Sequence, residues 1–146
     1  TVAAAGAEKL QGLGMSFRKA SYICDFAARV QSGAFDLEAV REMDDAQAIA
    51  ALTAPRGVGV WTAEMLLLFC LQRPDVFSYG DFAIRRGLRM LYRHRELDRE
   101  RFERYRRRFS PHGSVASLYI WAVACGEVEG LTDPAAEDAK GRKKKA

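Results

Sequence analysis

Cysteine is scarce in this sequence, which has three cysteines and no CxxC pair. Without closely spaced cysteines, zinc or iron–sulfur ligation is not expected. Cys24, Cys70 and Cys125 each lie in an apolar stretch, so we expect them to be reduced thiols of the core. An odd number of cysteines and the absence of a signal peptide favour a cytoplasmic protein.

Long apolar runs, strand patterns and clustered catalytic side chains are also missing. The longest apolar run, 65–71, is too short to span a membrane, so no membrane partner is expected. His94 and His112 are isolated in the sequence, and no Ser/His/Asp or Cys/His arrangement is visible. The sequence therefore gives no sign of a hydrolytic triad or of a redox or zinc centre.

The positive charge is distributed unevenly, although the formal net charge is only +4. Eleven arginines fall within 85–108, a range that holds only four acidic residues. A basic half suggests a polyanionic partner, because Arg and Lys displace counterions from phosphates. A solvated arginine-rich face explains the same pattern about as well, with four acidic residues as local partners: Glu96, Asp98, Glu100 and Glu103.

Apolar residues recur at helical spacing, which predicts an all-α fold. The predicted helices cover approximately 17–30, 37–43, 46–52, 61–71, 81–92, 98–109 and 114–125. Ser16 and one of Asp44 or Asp45 are expected to act as N-caps. The helix at 61–71 is nearly all apolar, so we expect it to be buried. We expect one domain at 1–131 and a polar basic tail at 132–146 that has no fold of its own.

The segment 52–63, Leu-Thr-Ala-Pro-Arg-Gly-Val-Gly-Val-Trp-Thr-Ala, joins two predicted helices through a Gly-Val-Gly turn. Because Gly57 and Gly59 lack a Cβ, the backbone there can come close to another surface. Free N–H groups at the start of the next helix can bind phosphate, and carbonyls across the turn can hold a monovalent cation. Val58 is expected to pack back and stiffen the loop. A bare GxG is, however, more often an ordinary tight turn.

Four segments of this sequence resemble the helix-hairpin-helix DNA glycosylases, specifically the 3-methyladenine DNA glycosylase II branch. The likeness extends over roughly 8–127, and the order and spacing of the segments match. The segments are Gly-Leu-Gly-Met-Ser-Phe-Arg-Lys-Ala (12–20), Arg-Gly-Val-Gly-Val-Trp-Thr-Ala-Glu-Met (56–65), Arg-Pro-Asp-Val-Phe-Ser-Tyr-Gly-Asp-Phe-Ala-Ile-Arg-Arg-Gly (73–87) and Ser-Pro-His-Gly-Ser-Val-Ala-Ser-Leu-Tyr-Ile-Trp (110–121). The family normally has further helices before the first segment, so we expect an N-terminal segment of the family domain to be missing here.

The resemblance implies that Asp81 is the catalytic carboxylate. Breaking an N-glycosidic bond builds positive charge on the sugar, and a carboxylate beneath C1′ stabilises that charge and can orient water. The start of a helix favours the ionised form of such a side chain. By position alone, an Asp at a helix start is more often a simple N-cap, as we expect for Asp98, while Asp75 reads as a loop residue.

The resemblance also implies a base pocket formed by Trp61, Trp121 and Met65. Alkylated purines carry positive charge, and each contact of such a cation with an indole face contributes about 0.5–2 kcal/mol of attraction. Packing in the core is the alternative fate of both indoles. We assign the other large aromatics to the core, including Phe69, Tyr92, Phe102 and Phe109.

Strand nicking is not expected of this sequence. Bifunctional relatives carry a Schiff-base Lys in the hairpin helix, and Trp61 stands at that position here. The predicted reaction is hydrolysis alone, with no required cofactor.

Several residues are expected to contact DNA. Arg85, Arg86 and Arg89 follow Asp81 on its helix and are candidate phosphate contacts, although they could equally pair with surface acids. A structural Na⁺ or K⁺ ion is a candidate at the backbone of Thr53, Pro55 and Val58. The hairpin residues expected to bind DNA phosphate are Arg56, Gly57, Val58, Gly59 and Thr62.

Together these features predict a base excision repair enzyme, a monofunctional glycosylase that removes alkylated purines such as 3-methyladenine from duplex DNA. We expect such a protein to be cytoplasmic, of bacterial type and associated with the nucleoid. Two alternatives stay open: a helix-hairpin-helix module that binds DNA without catalysis, and a glycosylase for another lesion such as oxidised guanine.

Overall fold

The structure, a computed structural model, describes residues 1–136 and is helical, with no strand in that range. The predicted all-α fold is thereby confirmed. The helices are α1 (Val2–Gln11), α2 (Phe17–Gln31), α3 (Leu37–Glu42), α4 (Asp45–Thr53), α5 (Val60–Phe69), α6 (Phe82–Tyr92), α7 (Arg99–Phe109) and α8 (Gly113–Cys125). No helix within 1–136 is both long enough and apolar enough to cross a membrane.

The chain divides into two compact units, which we describe separately. Unit 1 is Thr1–Leu67, and unit 2 begins at Leu68. Unit 1 contains the first four helices and most of α5, whereas unit 2 contains α6, α7 and α8.

Side-chain caps begin most of the helices where the sequence predicted them. Ser16 Oγ accepts a hydrogen bond from Lys19 N at the start of α2. The Asp98 side chain accepts one from Arg101 N at the start of α7. Of the two candidates at the start of α4, Asp44 is the cap. Its carboxylate accepts from Gln47 N while the Gln47 amide oxygen accepts from Asp44 N, a reciprocal pair that satisfies two orphan donors.

Helix α1 is absent from the predicted set, because its alanines supply helix propensity without a periodic pattern of large apolar residues. Gly6 interrupts it with φ 77° and ψ 160°. Leu10 is its one buried residue, and α1 packs against α2 within unit 1.

The core of unit 2 is an aromatic and aliphatic cluster at the junction of its three helices. Phe77 and Phe102 lie with their ring centroids 5.1 Å apart, and Tyr79 packs edge-on against Phe102 at 5.0 Å. The buried members of the cluster are Phe77, Ile84, Leu88, Phe102 and Ile120. Phe102, Phe109 and Tyr92 all belong to this cluster or pack against it, as predicted.

Close packing of α6 against α8 depends on Gly87. A Cβ at this position would overlap the carbonyl oxygen of Ile120 and would lie 2.6 Å from its Cγ2. The two backbones therefore approach more closely than any other residue at position 87 would permit. This approach brings the start of α6 and the middle of α8, where Asp81 and Trp121 lie, into hydrogen-bonding distance.

Two expectations about burial are wrong. Cys70 and Cys125 are exposed rather than part of the core, because Cys70 follows the last residue of α5 and Cys125 is the last residue of α8, while Cys24 is partly buried. Helix α5 is not buried throughout, since Trp61 is 49% exposed and Phe69 is 58% exposed. The apolar sequence of α5 shows that the helix has low polarity on every face. It does not show which of these faces a neighbouring element covers.

The beginning of the predicted tail makes specific contacts with unit 2. Asp133 is only 8% exposed and receives two hydrogen bonds from the Arg89 guanidinium, at 2.6 and 3.1 Å. Thr132 accepts a hydrogen bond from Arg93 at its hydroxyl. The sequence predicts no fold in the tail, so the contacts at 132–136 were not predicted. The rest of the tail, 137–146, lies outside the described residues.

Candidate functional site

The Gly-Val-Gly turn lies in unit 1 between α4 and α5. Gly57 adopts φ +93°, and a Cβ there would overlap the ring of Tyr22 on α2, 2.7 Å from its Cγ. The position therefore excludes a side chain both by its backbone conformation and by its contact with Tyr22. Val58, which follows, is half-buried, in keeping with the expectation that it packs back.

Gly59 differs from Gly57, because nothing lies within 4 Å of the position that its Cβ would take. Its backbone is exposed, and its carbonyl accepts the first hydrogen bond of α5, from Ala63 N at 2.9 Å. The N–H groups of Val60 and Thr62, in the first turn of the helix, consequently have no intrahelical acceptor. The turn thus presents open backbone donors at the start of a helix, the arrangement that suits a phosphate.

Three carbonyl oxygens at and before the turn are the candidate ligands of the cation. Within residues 1–136, no backbone or side-chain donor reaches the carbonyl of Thr53, Pro55 or Val58. Backbone carbonyls without donors are suitable ligands for Na⁺ or K⁺. The hydroxyl of Thr53 donates back to Ile49 O at 2.8 Å, so it is not directed at the turn.

The carboxylate of Asp81 lies in unit 2 as the N-cap of α6. Its Oδ1 accepts a hydrogen bond from Ile84 N at 2.9 Å and a second from Trp121 Nε1 at 3.1 Å. Only 6% of the residue is exposed. Two donors directed at one oxygen fix the rotamer and stabilise negative charge there, which a bare cap would not require.

Trp121 acts on Asp81 through its indole N–H, and its ring is stacked against Phe69. The two ring centroids lie 5.7 Å apart with an interplanar angle of 14°. Trp121 itself is half-buried, whereas Phe69 is 58% exposed. The assignment of Phe69 to the core is therefore wrong, because it ends α5 with one face on Trp121 and much of its surface in solvent.

The other two predicted pocket residues lie in unit 1, on the first two turns of α5. Trp61 is 49% exposed, so it is not a core indole, and Met65 is half-buried. Among the hairpin residues expected to bind DNA, Arg56 is exposed and Thr62 is half-buried.

The three arginines of α6 have different surroundings. The Arg85 guanidinium lies 5.3 Å from the centroid of the Tyr79 ring, and its Nε is buried with no hydrogen-bond partner in the described chain. Arg89 is held by Asp133, and Arg86 lies 3.9 Å from the same carboxylate. Two of the three candidate DNA contacts thus face an acid of unit 2.

Asp133 is the acid that the sequence did not single out. Its hydrogen bonds from Arg89 hold the pKa of the carboxyl below its ordinary value of 3.8, although burial acts in the opposite direction. A second donor, Ala135 N at 3.1 Å, also lowers the pKa. No local pattern marks Asp133, because its partner lies 44 residues earlier in the chain.

An all-α chain with a glycine turn between two helices and a carboxylate capping the next helix has the parts of a helix-hairpin-helix protein. A model of the HhH-GPD superfamily of base excision DNA repair proteins matches residues 1–111, and the chain belongs to this superfamily. The family predicted from the sequence is confirmed.

The relatives of this chain include several 3-methyladenine glycosylases. DNA-3-methyladenine glycosylase 1 of Schizosaccharomyces pombe is 31% identical over 119 residues, which cover 80% of this chain and 52% of the relative. The crystal structure of a DNA-3-methyladenine glycosidase from Bacillus halodurans is similar at 34% identity and a TM-score of 0.68, covering 85% of this chain and 58% of that one. The 3-methyladenine DNA-glycosylase of Archaeoglobus fulgidus is 29% identical with a TM-score of 0.73, covering 88% and 43%.

The matched region is only part of each relative. The chain spans between 38% and 52% of the length of the curated relatives it matches. The activity of the whole relatives is therefore a proposal for this chain.

Proposed function

We propose that this chain is a monofunctional DNA glycosylase of base excision repair, which hydrolyses the N-glycosidic bond of alkylated purines such as 3-methyladenine in duplex DNA. Water replaces the base at C1′, so the products are the free base and an abasic site. The observation that carries the proposal is the Asp81 carboxylate, whose Oδ1 receives both Ile84 N and Trp121 Nε1.

The chemistry assigned to Asp81 follows from its charge and its fixed position. An oxocarbenium-like transition state gains from a negative charge that is already oriented, because no reorganisation is needed during the reaction. The two donated hydrogen bonds supply that orientation. An alkylated base is already a good leaving group, so a strong general acid is not needed.

The hairpin supplies the means of holding DNA in this proposal. Phosphate oxygens would accept hydrogen bonds from the backbone at Gly57, Gly59 and the first turn of α5, with Arg56 adding a positive charge. A Na⁺ or K⁺ ion held by the carbonyls of the turn would add further charge toward the same phosphate.

The damaged base would leave the stack and meet aromatic side chains. An extruded cationic purine is attracted by indole faces, which accept several alkylated bases because stacking does not depend on a particular hydrogen-bond pattern. We assign this role to Trp61 and Trp121, with Met65 beside Trp61 on the same helix. Without a Schiff-base amine at position 61, the abasic product would be released without strand cleavage.

Asp81→Asn tests the catalytic role of the carboxylate. We expect the variant to bind a short duplex containing 3-methyladenine as the parent does, and to lose release of the free base by at least about a hundredfold. The measurement is chromatographic quantification of released base, together with fluorescence anisotropy of the labelled duplex.

Asp98→Asn is the matched control. Asp98 is also a helix N-cap in unit 2 and accepts from Arg101 N at 2.7 Å, so the substitution repeats the loss of a capping carboxylate without touching Asp81. We expect release to stay at the parent rate in this variant. Equal release by Asp81→Asn and the parent would remove Asp81 from the mechanism, and no release by the parent would favour the module that only binds DNA.

A further inference from the structure

A cavity of about 370 Å³ in unit 2 has three arginines among its lining residues. It lies between the turn after α6 and one face of α7. Its lining residues are His94, Arg101, Arg104, Tyr105 and Arg108. None of these five residues belongs to the hairpin or to the surroundings of Asp81.

The three arginines lie on one face of α7, since their spacing of three and four residues follows the helical repeat. Within residues 1–136, no carboxylate lies within 4 Å of any of the three guanidinium groups. Two of the nearby acids have other partners: Glu103 pairs with Arg99, and Asp98 caps the helix. The arginine-rich face is therefore not neutralised by the local acids that the sequence offered as partners.

The aromatic wall of the cavity is held by a ring stack and a hydrogen bond. Tyr105 stacks on Tyr92 with ring centroids 4.2 Å apart, and its hydroxyl lies 2.7 Å from His94 Nε2. Burial, followed by the neighbouring Tyr92, raises the pKa of Tyr105 above its ordinary value, against the opposing effect of the three arginines. The phenol thus stays protonated at neutral pH, and its hydroxyl is held at the cavity by the hydrogen bond with His94.

We propose that His94, Tyr105, Arg101, Arg104 and Arg108 form a phosphate-binding pocket in addition to the hairpin. Like charges one turn apart repel each other on a helix, and an anion between them removes that repulsion. Planar guanidinium groups match the geometry of phosphate oxygens, and a concave site gathers several of them around one ligand. The ligand is a phosphate group, carried either by a small oligophosphate or by the DNA backbone.

Arg104→Gln tests the pocket, and Arg107→Gln is its control. Arg107 is exposed on the same helix and does not line the cavity, so both variants lose one positive charge from α7. Inorganic pyrophosphate is titrated into the ¹⁵N-labelled chain, with the amide shifts of residues 94–108 as the readout. A short undamaged duplex is titrated in parallel by fluorescence anisotropy.

We expect saturable pyrophosphate binding that weakens about tenfold in Arg104→Gln and less than about twofold in Arg107→Gln. Tyr105→Phe keeps the ring stack and should weaken binding by a few-fold, through loss of the hydroxyl alone. If pyrophosphate does not bind but Arg104→Gln weakens duplex binding more than Arg107→Gln does, the phosphate is that of the DNA backbone. No saturable pyrophosphate binding together with equal losses of duplex affinity in the two arginine variants would overturn the proposal.

Discussion

The candidate phosphate site in the hairpin of unit 1 and the candidate catalytic carboxylate of unit 2 are built in different ways. The turn at Gly57 and Gly59 offers backbone atoms, and its side chains are small or absent. At Asp81 the functional group is a side chain, and an indole N–H and a helix N-terminus hold it. A backbone site is therefore sensitive to any added atom, whereas the carboxylate site is sensitive to the loss of one donor.

The largest expected effect is a loss of stability at one of the two glycines of the turn, Gly57, but not at the other, Gly59. Gly57→Ala should destabilise the protein by about 3 kcal/mol, because the methyl group meets the Tyr22 ring and the φ of +93° is strained for alanine. Thermal or urea unfolding followed by circular dichroism measures this loss.

Gly59→Ala is the counterpart, because its new methyl group meets open space. We expect unfolding to change by less than about 1 kcal/mol, while affinity for duplex DNA falls, since the methyl group separates the backbone from a phosphate. A variant with parent-like DNA affinity would show that the turn is tight for packing alone.

A smaller effect is expected from Trp121→Phe, which keeps a smaller ring against Phe69 and removes the indole N–H that donates to Asp81. The loss of one hydrogen bond to a charged group should lower the rate of base release by about ten- to a hundredfold. Tyr119→Phe, at a position 73% exposed on the same helix, should leave release unchanged. A parent-like rate for Trp121→Phe would mean that the indole N–H is not needed to position the carboxylate.

The smallest effect concerns Asp133 and its two arginines. Arg89→Gln should destabilise unit 2 by about 1.5 kcal/mol, because it removes two hydrogen bonds from a buried carboxylate. Arg86→Gln should cost less than about 0.5 kcal/mol, since its guanidinium is 3.9 Å away and the side chain is 43% exposed. Equal losses in the two variants would contradict the assignment of Arg89 as the main partner.

The same ion pair predicts a dependence of stability on pH. The folded-state pKa of Asp133 lies below its ordinary value of 3.8, so its contribution is complete above that value. The contribution is lost as the pH falls through the folded pKa. Asp133→Asn should therefore lower stability at neutral pH and remove this part of the acid dependence, which urea unfolding between about pH 2 and 6 would show.

Local features of this protein could be predicted from sequence, and contacts between distant residues could not. The cap at Ser16 and the start of α6 at Asp81 follow from short patterns, because capping involves residues three apart. The contact of Trp121 with Asp81 joins residues 40 apart, and only the resemblance placed both of them at a site.

Phe69 shows the limit of reading hydrophobicity as burial. It belongs to an apolar run and was assigned to the core for that reason, yet it is mostly exposed. Gly87 carried no signal either, because the need for a missing Cβ arises from the Ile120 backbone on a helix that comes later in the chain.

The hydrogen bond from Trp121 to Asp81 makes an indole an optical reporter of the carboxylate. The chain has two tryptophans, so Trp61→Phe would leave Trp121 as the single tryptophan, stacked on Phe69 and hydrogen-bonded to Asp81. Its emission spectrum would respond to the electric field of the neighbouring oxygen. Protonation of Asp81, or the arrival of a cationic base beside it, would then be detected as a shift of the tryptophan emission maximum in an unlabelled protein.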